Sequence, residues 1–127
     1  TMPVVKEYDG GDIYQALAYG KVKDYIEKEL PDFLAVSWHF DGVDIVPKDG
    51  GKDKGIIEYC KLRNIDLKDT MAFGDGDNDI EMLKTVGIGV AMGNGIDTVK
   101  AAADYITDSI KEDGVYNALV HFGVIDD

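Results

Sequence analysis

Beyond residue 51 the chain alternates short apolar runs with amphipathic segments, and this rhythm constrains the fold more than any other feature. Residues 70–73, 88–92 and 105–107 read as short buried strands, and residues 53–63, 80–86, 96–103 and 115–122 read as helices. Strands separated by helices predict an α/β fold in which a parallel sheet is joined by right-handed crossovers. Residues 88–92, Ile-Gly-Val-Ala-Met, are apolar enough to need neighbours on both sides, and three strands are fewer than a usual sheet holds. Part of the sheet is therefore expected to lie outside this sequence.

The first 48 residues have a different character. Residues 13–18 read as a strand. Val22, Tyr25, Ile26 and Leu30 form one face of a helix over 21–30 that Pro31 ends. Residues 33–40 and 43–46 flank the turn dipeptide Asp41-Gly42 and predict a hairpin. The polar breaker cluster Pro47-Lys48-Asp49-Gly50-Gly51 separates this β-α-β-β segment from the alternating remainder of the chain, so we place a domain boundary between 1–48 and 49–127.

The 127 residues suffice for one core, and 45% hydrophobic with 9% aromatic residues supports packing. Net charge is −12, which opposes polyanionic nucleic acid and anionic membrane surfaces as partners. No apolar run approaches the ~20 residues of a membrane span. Cys60 is the single cysteine, which with no apolar opening segment makes the reducing cytoplasm the expected compartment. Thr1 ahead of Met2 reads as a chain that begins inside a longer one.

Chemistry concentrates in Gly74-Asp75-Gly76-Asp77-Asn78-Asp79, between an apolar strand and an amphipathic helix. Three carboxylates and an amide crowd one loop; the like charges repel one another unless a cation neutralises them, and oxygen donors of this kind suit Mg²⁺. The plainer reading is a glycine turn with Asn78 or Asp79 capping the next helix. An EF-hand is excluded, because its sixth position would be Ile80 and its twelfth Val86. A dinucleotide fingerprint fails too: Gly74-x-Gly76 reaches Asp79, and Gly87-x-Gly89 reaches Met92.

Topology links this loop to Lys52. In a parallel α/β unit a helix starts at the carboxyl edge of the sheet and the next strand returns to that edge, so Lys52 and Asp75 are expected to share a crevice. An ammonium beside acids that bind a metal, near a helix N-terminus, makes a site for a phosphate dianion.

The segments Gly51-Lys52-Asp53-Lys54-Gly55-Ile56, Gly74 through Leu83, Gly89-Val90-Ala91-Met92-Gly93-Asn94, and Ala101-Ala102-Ala103-Asp104-Tyr105-Ile106-Thr107 resemble the carboxyl-terminal half of a Cof-type phosphatase of the haloacid dehalogenase superfamily. The resemblance covers residues 43–125. It implies a Rossmann-like core, with residues 1–48 as the end of an α/β cap inserted between the core's halves. It also implies that Lys52 is the catalytic lysine holding phosphoryl group and nucleophile together, that Asp75 is the acidic Mg²⁺ ligand, and that Asp79 completes the metal site by acting on the ion's waters. Asn78 then serves the metal shell or the phosphate, and Asn94 borders the site.

The departure from the family pattern is equally informative. The family's Asp-x-Asp-Gly-Thr element, which supplies the attacking carboxylate and the general acid, has no counterpart. Asp41-Gly42-Val43-Asp44 has its acids three apart in a cap hairpin, and Asp75-Gly76-Asp77 is already assigned. Without an acceptor carboxylate no aspartyl-phosphate forms, so the chain alone is expected to be inactive. The intact protein is expected to hydrolyse small phosphorylated metabolites, sugar phosphates among them. The rivals are a non-catalytic acidic binding or assembly module and a sugar phosphomutase. A half-sheet would expose an apolar edge, so dimerisation or association with the missing amino-terminal half is expected. Cys60 and His121 are read as packing residues, Trp38 as core and His39 as surface.

Overall fold

The computed structural model describes residues 10–39 and 41–126, with Trp38 and His39 described by backbone alone. Among them two three-stranded sheets follow one another along the chain.

The first is antiparallel, in the order β1 (Ala16–Tyr19), β3 (Gly42–Pro47), β2 (Phe33–His39), with α1 (Lys23–Glu29) between β1 and β2. Alternation along the strands sends Ala18, Ala35, Val43 and Ile45 to one face, where they pack on Val22 and Ile26 of α1. β2 and β3 pair as the expected hairpin, but Gly42, expected in the turn, already belongs to β3 opposite His39 and Tyr19, so that Asp41 is the turn residue described; the register is irregular between Ser37 and His39. Phe40 lies outside the described residues. β1 starts three residues later than the expected 13–18. It is defined by pairing of Ala16 to Ile45 and Tyr19 to Gly42, and among the described residues no strand pairs with Ile13 and Tyr14.

The second sheet is parallel, in the order β4 (Met71–Gly74), β5 (Ile88–Ala91), β6 (Tyr105–Ile106). β5 takes the central place its composition demands, and Val90 and Ala91 are fully buried. α3 (Ile80–Thr85) connects β4 to β5 and α4 (Asp97–Ala102) connects β5 to β6. Leu83 and Val99 fill the core with Ala72, Val86 and Ala91. α2 (Lys52–Arg63) leads into this unit, contributes Ile56 to the core and ends at Asn64 in the left-handed conformation. α5 (Gly114–His121) closes the described chain. His121 stacks on Tyr105 at 4.5 Å between ring centroids, and Cys60 is buried. β4 lies at the end of the strand order, next to an apolar groove lined by Ile56, Tyr59, Met71 and Met82. No helix among the described residues is long and apolar enough to cross a membrane.

The fold is thus α/β, with a parallel sheet flanked by helices. β4 and β5 both end at the same edge, and the segments leaving them form a crevice there together with the start of α2.

Candidate active site

Gly51 precedes α2 with φ of 134°, a conformation that side chains rarely adopt, and hands the chain to Lys52 at the first turn. From there the Lys52 ammonium crosses to the loop after β4 and pairs with Asp79 Oδ1. The lysine side chain is half exposed while that of Asp79 is 7% exposed, so a buried carboxylate is joined to an ammonium that still reaches solvent.

Asp79 turns back toward the strand end it came from. Its Oδ2 accepts the backbone N–H of Asp75 at 2.9 Å and of Gly76 at 3.2 Å, and the Asp79 N–H returns a bond to the Gly76 carbonyl. The expectation that Asn78 or Asp79 caps α3 holds in position but not in bonding: Asp79 is the N-cap residue of α3, yet its side chain bonds no N–H of that helix and instead accepts from Gly76 at the start of the single 3-10 turn, Asp77–Asp79, that enters it. The physical reason is competition for one acceptor. Two loop N–H groups with no strand partner and a nearby cation together outweigh one helix N–H.

Burial alone would raise the Asp79 carboxyl. The Lys52 hydrogen bond, the two amide bonds and the lysine's charge outweigh it and hold the group below its usual 3.8.

The three carboxylates of the loop therefore take three different directions. Asp79 goes inward to Lys52, and Asp77 Oδ1 accepts from the Thr98 hydroxyl at 2.6 Å. Asp75 remains exposed, with a contact of 3.5 Å from the Asn94 amide nitrogen to its Oδ2. Asn94 is itself oriented by the Ile110 N–H, 2.9 Å from its Oδ1. The Asp75 carbonyl accepts the Ile96 N–H at 3.1 Å, which ties the loops after β4 and β5 together. Part of the repulsion that suggested a metal is relieved by Lys52. The carboxylate with the most free acceptor capacity is Asp75.

Gly74 makes this packing possible. A Cβ there would stand 2.5 Å from Asp79 Cβ. Gly74→Ala is expected to push the carboxylate off its amides and off Lys52, at a cost of about 1–2 kcal/mol. Urea unfolding measures it, and an unchanged midpoint would refute the close-packing account.

Two cavities meet at Asn78 in the cleft between the sheets. One, of about 470 Å³, is lined by Ser37, Asp75, Asp77, Asn78 and Asn94. The other, of about 460 Å³, is lined by Lys52 and Asn78 on one side and by Val36, Asp44 and Val46 of the first sheet, with Tyr14 and Gln15 just ahead of it, on the other. The structure thus gathers Lys52, Asp75, Asn78, Asp79 and Asn94 around one crevice. Sequence reading missed Thr98, Ser37, Tyr14, Val36 and Val46. It considered Asp44 only as part of an unsuitable acid pair. No motif marks these positions, because they are brought to the cleft by strand pairing and by the meeting of two sheets.

Among the described residues no three acidic, histidine or cysteine side chains converge on a single point. Asp75 nevertheless offers hard oxygen donors at the mouth of the cavity. That suits Mg²⁺, which is commonly held by one or two carboxylates with waters and phosphate oxygens filling the remaining positions.

Comparison with known proteins gives the family of the chain. Residues 7–119 match the model of the haloacid dehalogenase-like hydrolase family. YkrA of Bacillus subtilis is 39% identical over 93% of this chain and 46% of its own length. YbhA of Escherichia coli, a pyridoxal phosphate phosphatase, is 38% identical over 86% of this chain and 40% of its own. Among solved structures BT1666 from Bacteroides thetaiotaomicron, one of the phosphatases of the haloalkanoate superfamily, superposes with a TM-score of 0.86. It is 34% identical over 97% of this chain and 48% of its own. The chain spans about half the length of these relatives. With the family match extending over most of its residues and a parallel sheet of the same architecture, the chain belongs to the haloacid dehalogenase-like hydrolases.

Proposed function

We propose that this chain is the carboxyl-terminal part of a cytoplasmic, Mg²⁺-dependent phosphohydrolase of small phosphate monoesters. Residues 1–48 would be part of its cap and 49–127 half of its core. The observation that carries the reading is the Lys52 ammonium fixed to the loop whose Asp75 carboxylate opens into the same cleft. A phosphate dianion in that cleft meets a cation on one side and, when the metal is bound, a second centre of positive charge at Asp75.

In this reading Lys52 binds and orients the phosphoryl group, and Asp75 holds Mg²⁺, whose role is to neutralise charge on phosphate oxygens. Asp79, expected to act on the metal's waters, in this reading works through its neighbours instead: with both oxygens engaged, it fixes the position of the ammonium and the shape of the loop. Asn78, which lines both cavities, would serve the phosphate or the metal's shell, and Asn94 would steady Asp75. The attacking carboxylate is not supplied by these 127 residues, so the amino-terminal half of the intact protein provides it. That half would also associate with the open side of β4. YbhA's substrate and the phosphatase relatives favour a phosphorylated small metabolite as the ester.

The test is hydrolysis of a chromogenic phosphate ester by the 127-residue chain and by the full-length protein containing it, with and without Mg²⁺. The expected result is no turnover by the chain alone and magnesium-dependent release of inorganic phosphate by the full-length protein. In the latter, Asp75→Asn should raise the Mg²⁺ concentration for half-maximal rate by about tenfold, equivalent to roughly 1.4 kcal/mol of lost binding. Absence of magnesium-dependent hydrolysis in the full-length protein overturns the proposal. It would favour an acidic assembly module, and formation of an isomeric phosphate without phosphate release would indicate a mutase.

A further inference from the structure

We infer that Asp44 is a specificity-determining residue that selects esters whose leaving group has an apolar body and carries an amino or other N–H donor. The inference rests on the proposed phosphohydrolase reading and deepens it, because it assumes that the ester's phosphate is held at the Lys52 end of the cleft.

Asp44 sits in the middle of the central strand of the first sheet. Its neighbours Val43 and Ile45 face α1 and belong to the core there. With a side-chain period of two, Asp44 and Val46 face the other way, toward the cleft. The registers set Leu17 on one side of Asp44 and Val36 on the other, and Leu34 opposite Val46. A carboxylate thus lies between two aliphatic side chains on the face that closes the cavity holding Lys52 and Asn78.

Aspartate is a poor choice for a central strand, and the sheet makes no use of it. Asp44 is half-buried, and among the described residues no group donates a hydrogen bond to its carboxylate and no cation pairs with it. An acceptor in this position retains a desolvation cost that a ligand donor can offset, and a charge-assisted bond to an amine offsets it best. The surrounding walls, Tyr14, Val36, Val46 and Pro47, offer mostly apolar contact; besides Lys52 and Asn78 at the phosphate end, Gln15 adds one amide, which can serve one or two hydroxyls but not the set that a polyol carries. A polyhydroxylated leaving group would leave most of its hydroxyls unpaired against that wall. A ring or other apolar body bearing one amine matches it, with phosphate toward Lys52 and nitrogen toward Asp44.

The experiment compares three phosphate esters on the full-length protein with Mg²⁺: pyridoxamine 5′-phosphate, an aromatic ring with a primary amine; phenyl phosphate, a ring without a donor; and glucose 6-phosphate, a polyol. The wild type is expected to prefer the first in kcat/KM. Asp44→Asn should lower kcat/KM for it by about tenfold or more, the loss of one charge-assisted bond, and change phenyl phosphate less than about twofold. Asp44→Glu, which keeps the charge, should retain part of the preference. Equal losses on both ring substrates, or preference for glucose 6-phosphate, overturn the inference. A parallel titration separates it from the phosphohydrolase reading: phosphate-free pyridoxamine is added to the 127-residue chain while amide shifts of β1, β2 and β3 are followed. Shifts that Asp44→Asn abolishes support the amine subsite even if no ester is hydrolysed. Absence of shifts, together with no selective effect on kcat/KM, rejects it.

Discussion

Replacing Lys52 by methionine is expected to reduce kcat/KM of the full-length protein toward phosphate esters by about 10²–10³-fold, the usual cost of removing one preorganised charge from a developing anionic centre. Methionine keeps most of the stem and deletes the ammonium. The same change should destabilise the fold only modestly, because Asp79 keeps its two amide bonds and the missing cation was half exposed to water. About 1–2 kcal/mol is expected, a drop in Tm of roughly 3–6 °C.

The two effects can be separated by pH and by a second substitution. Asp79 binds its proton less readily in the folded chain than in the unfolded one, so its contribution to stability is complete above about 3.8 and is lost as pH falls through its lower folded value. The stability difference between wild type and Lys52→Met should therefore be largest near neutrality and shrink in acid. Adding Asp79→Asn removes the buried charge that the first change orphaned and should recover part of the stability without recovering turnover. Recovery of both would show that Lys52 acts only by holding the loop, and a pH-independent stability difference would refute the pairing itself.

The second large effect concerns the core. Leu83, 1% exposed, lies where α3 meets the parallel sheet, against Ala72, Val86, Ala91 and Val99. The buried members of that cluster are small, and of the larger side chains packed against it, Ile56, Ile80 and Met82, only Met82 is unbranched and flexible, so little can move into the space a shorter residue would leave. Leu83→Ala is expected to cost about 3–4 kcal/mol, transfer and cavity contributions together. For a domain of this size that is a large share of a typical stability of about 5–15 kcal/mol. Urea unfolding with an unchanged m-value checks it, and a loss below about 1 kcal/mol would mean that the site collapses around the smaller side chain.

Much of this architecture is legible along the chain. The run at 88–91 declares a strand buried on both faces, and it is the centre of the parallel sheet. The helices appear within two residues of their expected ends, because a 3.6-residue period and glycine or proline punctuation are local properties. The loop after β4 and its link to Lys52 also follow from order alone, since in a parallel unit consecutive helix starts and strand ends must share an edge.

The partition of the three loop carboxylates could not be deduced in that way. Asp75, Asp77 and Asp79 are chemically alike in one dimension. Only the packed chain makes one a buried anchor for an ammonium, one a partner of Thr98, and one an exposed acceptor at the cavity mouth. Asp44 was equally indistinct, because a β-residue's face is fixed by its register with neighbouring strands, and the face's surroundings by a second sheet further along the chain. Local periodicity and spacing thus determined the elements, their order and the edge where the chemistry gathers. Tertiary structure alone decided which oxygen atoms are already spoken for and which remain to meet a ligand, because satisfaction of a polar group depends on long-range neighbours that no stretch of sequence contains.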